Sequence, residues 1–254
     1  MTTINKHTDG QFCWNQIATP DVDKAIVFYS ALFGWEIVDE ELGHGDEMIR
    51  MLHNGEFVAG IHKINDDEKA HWEPHLAMSD LPAFLALVQQ HEGFVVEKPQ
   101  AAGPFGTMAE VCGPDGGRLC LWSAGTFGGH TTASGDGIPR WYELQLLEEG
   151  PEETFWPTVL TWNETSNNQR RKNYENADGV PIAQIHILNE TEAETLYHPR
   201  WITFIQVGDV DATCTAAEAI EATIIRRPYE APGLGRCAVL ADSQGSVFGI
   251  IEPV

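Results

Sequence analysis

The chain has 254 residues, 43% of them hydrophobic, enough for two ordinary domains with real cores and too apolar for disorder. Its formal net charge of −23 repels phosphate backbones and anionic lipid surfaces, which excludes nucleic acid and membrane as expected partners. No apolar run reaches the roughly 18 residues of a membrane helix, and MTTINKHTDG lacks the apolar centre of a signal peptide, so a cytoplasmic location is expected.

In chain order, FCWNQIA reads as a strand. Asp21 follows as a helix N-cap, a carboxylate placed to accept the free N–H groups of a first turn. Ala25, Phe28, Tyr29 and Leu32 then recur at helical spacing. GWEIV, EMIRML and EFVAGIHKI read as three strands, with a turn at Asn54-Gly55. PHLAM is the next strand, and Asp80 caps a second helix carrying Leu81, Phe84, Leu85 and Val88 on one face. FVVE, GTMAEVC and GRLCLW close the half, with a turn at Pro114-Asp115-Gly116-Gly117. Strand–helix–strand–strand–strand therefore occurs twice in the first half.

The second half repeats the first. FYSALFGW aligns with FWPTVLTW at a shift of 127 residues, which also pairs Trp14 with Trp141. NGEFVAGIHKI aligns with DGVPIAQIHIL, WEPHLAMSD with WITFIQVGD, KPQAAGPFG with RPYEAPGLG, and GPDGGRLCL with DSQGSVFGI. The order of the matches is kept along the chain. The reading is an α+β fold of four βαβββ units paired into two domains, 8–124 and 138–254, joined by the Gly/Ser/Thr-rich linker 125–137.

Four such units, with the entry strand leading into D-x-x-x-A-x-x-F-Y-x-x-L-F-G-W at Asp21 to Trp35 and the P-D-G turn at Pro114, resemble the glyoxalase/bleomycin resistance/extradiol dioxygenase superfamily. The resemblance implies that paired units curl their sheets around a cavity, with helices outside and the ligand on the concave face. It also implies a divalent metal held by four positions per cavity. These fall on Trp14, Ala59, Glu73 and Cys120 in the first half, and on Trp141, Ala183, Ile202 and Gly249 in the second. Glu73 alone is an ordinary ligand, so no metal is expected, although a divalent ion remains the cofactor that the resemblance would bring.

His71, Glu73 and His75 alternate along one strand and would share a face. They are the side chains that would hold a displaced metal, and Glu73 with His75 could form an acid–base pair. His62 and His186 are matched between halves, and parity counted from Ala59 and Ala183 turns them away from the cavity. His44, His53 and His91 fall on loops or helix ends. Cys13, Cys112, Cys120, Cys214 and Cys237 show no CxxC spacing and read as small buried residues.

Parity places Trp14, Gln16, Glu73, His75, Arg118, Cys120 and Trp122 on the first concave face, and Trp141, Glu143, Phe204 and Gln206 on the second. An indole in a metal ligand's place offers a stacking surface and one N–H donor. Three functions remain open: binding of a small, aromatic or hydrophobic molecule; a lyase, isomerase or dioxygenase with a displaced metal site; and a structural or partner-binding protein with filled cavities. The first half, with more polar groups, is the favoured binding half. Two paired domains in one chain make a monomer or a homodimer the expected states.

Overall fold

The computed structural model describes residues 7–38, 49–132, 134–168, 170–195 and 199–254. In the first half the elements are β1 (Phe12–Thr19), α1 (Val22–Phe33), β2 (Glu36–Val38), β3 (Ile49–His53), β4 (Glu56–Lys63), β5 (His71–Ala77), α2 (Leu81–Gln90), β6 (Phe94–Ala102), β7 (Gly106–Cys112) and β8 (Arg118–Ala124). The second half repeats them as β9 (Pro139–Leu146), α3 (Pro151–Val159), β10 (Asn163–Asn167), β11 (Arg171–Glu175), β12 (Pro181–Ile187), β13 (Arg200–Gln206), α4 (Val210–Ala219), β14 (Thr223–Ala231), β15 (Gly235–Ala241) and β16 (Val247–Pro253). A short 3₁₀ turn, Glu192–Thr195, precedes β13. His44 lies outside the described residues.

Local chemistry accounts for the elements. Asp21, Asp80 and Asp209 each accept a backbone N–H three residues on, as their N-cap positions require. The third helix has no side-chain cap; it begins with Pro151, and Glu152 and Glu153 lie in its first turn, where the helix dipole favours negative charge. Asn54 and Gly55 both take positive φ, the backbone of a tight hairpin turn, and join β3 to β4.

Each half forms one eight-stranded sheet. The orders are β2-β3-β4-β1-β5-β8-β7-β6 and β10-β11-β12-β9-β13-β16-β15-β14, the same order twice. The two units of each half meet at antiparallel central strands, β1 with β5 and β9 with β13. The sheets curl strongly. Arg50 on β3 lies 5.6 Å from the ring of Phe105, in the turn between β6 and β7. Arg171 on β11 lies 5.6 Å from the ring of Tyr229 on β14. Strands far apart in the order thus face each other across a cup.

Helices cover the outer faces, as the resemblance implies, and are buried in cores that the two halves share. One core joins Leu81, Phe84 and Val88 of α2 to Phe155 and Trp156 of α3. The other joins Phe28, Tyr29 and Phe33 of α1 to Val210, Cys214 and Ala217 of α4. Polar ties follow the same exchange. Tyr29 donates to Asp242 at 2.9 Å, and Gln244 and Asp21 bond reciprocally. Asn15 donates to the Tyr142 hydroxyl at 2.9 Å and accepts from Thr203 at 3.0 Å.

Residues 125–132 and 134–137, between the halves, are packed rather than loose. Phe127, His130 and Thr132 are buried. Gly125 N donates to Phe105 O, His130 N to Cys13 O, and Gly137 N to Gln206 O, at 2.7–2.8 Å. Despite its Gly/Ser/Thr-rich composition this stretch is a strap across the first cup. The five cysteines are free, four of them buried, as expected. No helix among the described residues is long and apolar enough to cross a membrane.

Candidate functional site

Strand register decides which side chains face each cup. In the first half Gln16 lies beside Gly60 on β4 and opposite Glu73 on β5, and His75 lies beside Cys120 on β8. Trp14, Gln16, Glu73, His75, Cys120 and Trp122 therefore share the concave face, as expected. The middle of this cup is filled. Trp14 is 3% exposed and meets Phe127 of the strap edge-on, with ring centroids 4.9 Å apart. Trp122 donates its indole N–H to Phe127 O at 2.8 Å, and Phe57, Phe105 and Met108 complete the apolar packing. Arg50 stacks over Phe57 with its carbon 4.8 Å from the ring centroid.

One end of the first cup is polar. Glu73 Oε1 lies 3.2 Å from His71 Nε2, and Oε2 lies 3.9 Å from His62 Nε2. Burial works to raise the Glu73 pKa, but the hydrogen bond from His71 and the nearby imidazoles bring it below its usual value. The partner effect is opposite: His71 is raised by the same hydrogen bond. His75 is buried, its Nδ1 is bonded to the Glu73 carbonyl, and burial lowers its pKa to about 4, so it is neutral at pH 7. The Cys120 thiol is pushed well up by burial and by Glu73, which keeps it protonated. Arg118 lies at the exposed edge, 3.3 Å from Glu110, rather than inside the cup.

The second cup has an apolar part and a charged part. Trp141, Ile202, Phe204, Cys237, Val239 and Ile251 pack together. At the other end of the same face Glu143 accepts from Arg171 Nη1 at 2.9 Å and from Gln145 Nε2 at 2.9 Å, and lies 3.2 Å from His186 Nδ1. Burial opposes ionisation of Glu143, but His186, Arg171 and Gln145 outweigh it and hold the pKa at about 2. His186 Nε2 also lies 3.5 Å from Glu192, which pairs with Arg226 at 2.6 Å. Arg226 stacks on Tyr229 at 3.5 Å.

Two expectations change. His62 and His186 face the cups, and Ala59 and Ala183 do not: these lie in the helix-side cores. The true neighbours are Gln16 with Gly60 and Glu143 with Gln184, so the parity assumed for β4 and β12 was off by one residue, which exchanges the faces. Gln206 ends β13 and is tied to the strap, accepting from Gly135 N at 3.3 Å and Arg140 Nη1 at 3.1 Å. Arg171, Gln184, Glu192, Arg200 and Arg226 were not singled out from sequence. Alternation of Arg171 with Asn173 and of Gln184 with His186 is the signal that finds two of these, Arg171 and Gln184.

A cleft of about 840 Å³ opens where the halves meet. Trp141, Tyr174, Leu234 and Phe12 supply apolar walls, and His130 and Arg140 lie at its polar side. The Trp141 indole N–H has no protein partner among the described residues. His7 and His130 meet here with centroids 4.6 Å apart; burial lowers both pKa values, that of His130 to about 3.

The donor sets do not fit the metal that the resemblance implies. Trp14, Trp141, Ile202 and Gly249 offer no lone pair at four of its positions. A side chain at Gly249 would also collide with Phe204, since a Cβ there would fall 2.2 Å from the Phe204 ring. Glu143 and His186 are engaged with each other and with Arg171. Among the described residues no three His, Cys, Asp or Glu side chains converge as a metal-binding group.

Fold and site together define a two-cup α+β protein of tandem βαβββ units. Residues 7–121 match the sequence family described as Glyoxalase/Bleomycin resistance protein/Dioxygenase superfamily. That match spans the first of the two halves. It is 28% identical over 267 residues to "Putative glyoxylase CFP32" of Mycobacterium tuberculosis (strain CDC 1551 / Oshkosh), covering 100% of this chain and 98% of that protein. It is 25% identical over 267 residues to "Anthracycline biosynthesis protein DnrV" of Streptomyces peucetius, covering 98% and 95%. Among solved structures, the Mn(II)-bound glyoxalase from Novosphingobium aromaticivorans matches with a TM-score of 0.66 at 16% identity, covering 97% of this chain and 84% of that one. The 2,3-dioxygenase LapB from Pseudomonas sp. KL28 matches with a TM-score of 0.64 at 10% identity, covering 97% and 93%.

Proposed function

We propose that the protein binds a small aromatic or hydrophobic molecule in the cleft at the mouth of the second half, without a metal in the family's ligand positions. The observation that carries this reading is Trp141. Its indole borders a cleft of about 840 Å³ and its N–H lacks a protein partner among the described residues. A cleft of this size suits a ligand of a few fused rings. Tyr174 and Leu234 supply apolar surface and Arg140 can orient a polar edge, while the Trp141 N–H is itself buried beside the cleft. Likeness to a protein named for anthracycline biosynthesis supports the ligand class, since an anthracycline is a flat, fused-ring aromatic compound.

The sequence favours the first half as the binding half; the packing favours the second. Phe127 and Trp122 close over Trp14, leaving its indole to act as core. The test is a thermal-shift screen of fused-ring aromatic compounds against the full chain and against Leu234→Lys, which places a charged side chain on the cleft wall. A ligand that binds the native state raises Tm. Hits that stabilise the wild type and lose their effect in Leu234→Lys support the reading. Hits unaffected by that substitution, or no hits, overturn it.

A further inference from the structure

We propose a second, separate site: the charged end of the second cup binds a small organic carboxylate. Arg171, Arg200 and Arg226 converge there on two carboxylates, Glu143 and Glu192, linked through His186. Three guanidinium groups against two carboxylates leave a local positive excess within a chain of net charge −23.

The arginines also have unused hydrogen-bonding capacity. Arg226 gives one nitrogen, Nη2, to Glu192, while its Nη1 is buried with no partner among the described residues. Its guanidinium plane is held in place by the Tyr229 ring 3.5 Å away. Arg200 makes one described side-chain bond, from Nε to Gln145 Oε1 at 3.2 Å, and is largely buried. A buried guanidinium donor without an acceptor is costly, and the group whose geometry matches its planar fork is a carboxylate. Glu143 cannot fill that role for Arg226, because its oxygens already serve Arg171, Gln145 and His186.

This site is distinct from the cleft. Arg200 begins β13, whereas Gln206, at the strand's other end, lies beside Ile251 of the cleft wall. Six residues of strand put Arg200 about 20 Å from that end, while Glu143 lies two residues along β9 from Trp141, so the Leu234→Lys variant separates the two sites in the test. The two proposals therefore stand or fall separately.

The test is thermal unfolding of the full chain at pH 7.5 and constant ionic strength, with chloride replaced in steps by acetate, benzoate or inorganic phosphate. The wild type, Arg226→Gln, Arg200→Gln, Arg200→Lys and Leu234→Lys are compared, with circular dichroism as the check on folding. The expected result is a saturable rise in Tm of roughly 4 °C or more with acetate or benzoate. It should shrink at least threefold in Arg226→Gln and Arg200→Gln, return in part in Arg200→Lys, and persist in Leu234→Lys. Where Arg226→Gln does not fold, Arg200→Gln decides. No rise above chloride, a rise with phosphate alone, or an undiminished rise in the folded glutamine variants overturns the proposal.

Discussion

Asp115 and Glu152 exchange two hydrogen bonds across the boundary between the halves: Asp115 N donates to Glu152 Oε2 at 2.8 Å, and Glu152 N donates to Asp115 Oδ2 at 3.2 Å. The turn is built around this carboxylate. A Cβ at Gly113 would fall 2.1 Å from Glu152 Oε1, and one at Gly117 would fall 2.4 Å from it. Trp156 donates its indole N–H to the same oxygen at 2.6 Å. Burial nevertheless dominates and raises the Glu152 pKa to about 7.

A carboxyl whose folded pKa is raised contributes stability that is fully present below its unfolded pKa, near 4.5, and is lost as pH rises through about 7. The shift corresponds to about 3 kcal/mol. Glu152→Gln removes this dependence. In urea unfolding, the stability of the variant relative to wild type should therefore rise by about 2–3 kcal/mol between pH 5 and pH 8. A difference that stays flat across that window refutes the assignment.

Glu143 makes the opposite case. Its pKa of about 2 means that the ionised form is the one the fold stabilises, so its contribution is present above pH 4.5 and is lost only as pH falls towards 2. Glu143→Gln at pH 7 leaves Arg171 buried beside His186 without its counter-ion. Breaking such a pair should destabilise the protein by about 3–5 kcal/mol, and adding Arg171→Met should recover part of the loss. Additive losses in the double variant would argue that the two residues do not interact.

Because both cores mix helices of the two halves, neither half should fold alone. Fragments 1–124 and 138–254 are expected to lack cooperative unfolding and dispersed amide spectra when separate. A fragment would expose the faces of Phe28 and Val210, or of Phe84 and Phe155, that the intact chain buries. A dispersed spectrum from either isolated fragment would contradict the shared-core description.

Phe127 closes the first cup. Phe127→Ala should cost about 3 kcal/mol and leave an apolar hole lined by Trp14, Trp122 and Phe57. Such a hole takes up small apolar molecules. Benzene should therefore raise the Tm of the variant and leave that of the wild type unchanged; equal responses would show that the strap is not the plug.

Much of this architecture is legible in the sequence. Asp21 and Asp80 cap helices because only a short acceptor reaches the third N–H, and the spacing of Leu81, Phe84, Leu85 and Val88 marks the buried face of α2. For Trp14, Glu73, Trp141 and Glu143, on the central strands β1, β5 and β9, alternation alone gives the concave face. For His62 and His186 it does not, because a count of one residue reverses a strand's faces and β4 and β12 are aligned only by pairing with β1 and β9. The strap was hidden for a different reason. Its composition is that of a flexible linker, and Phe127 alone carries the apolar anchor. The cleft draws on both halves and on the strap, so no single segment announces it.

The most direct test follows the eight tryptophan indole N–H resonances of ¹⁵N-labelled protein while a compound from the thermal screen is added. The Trp141 signal is identified as the one missing in Trp141→Phe. The account predicts that this signal moves saturably with ligand, while that of Trp14, packed under Phe127, stays in place. A ligand that moves the Trp14 signal and leaves Trp141 unchanged would contradict it.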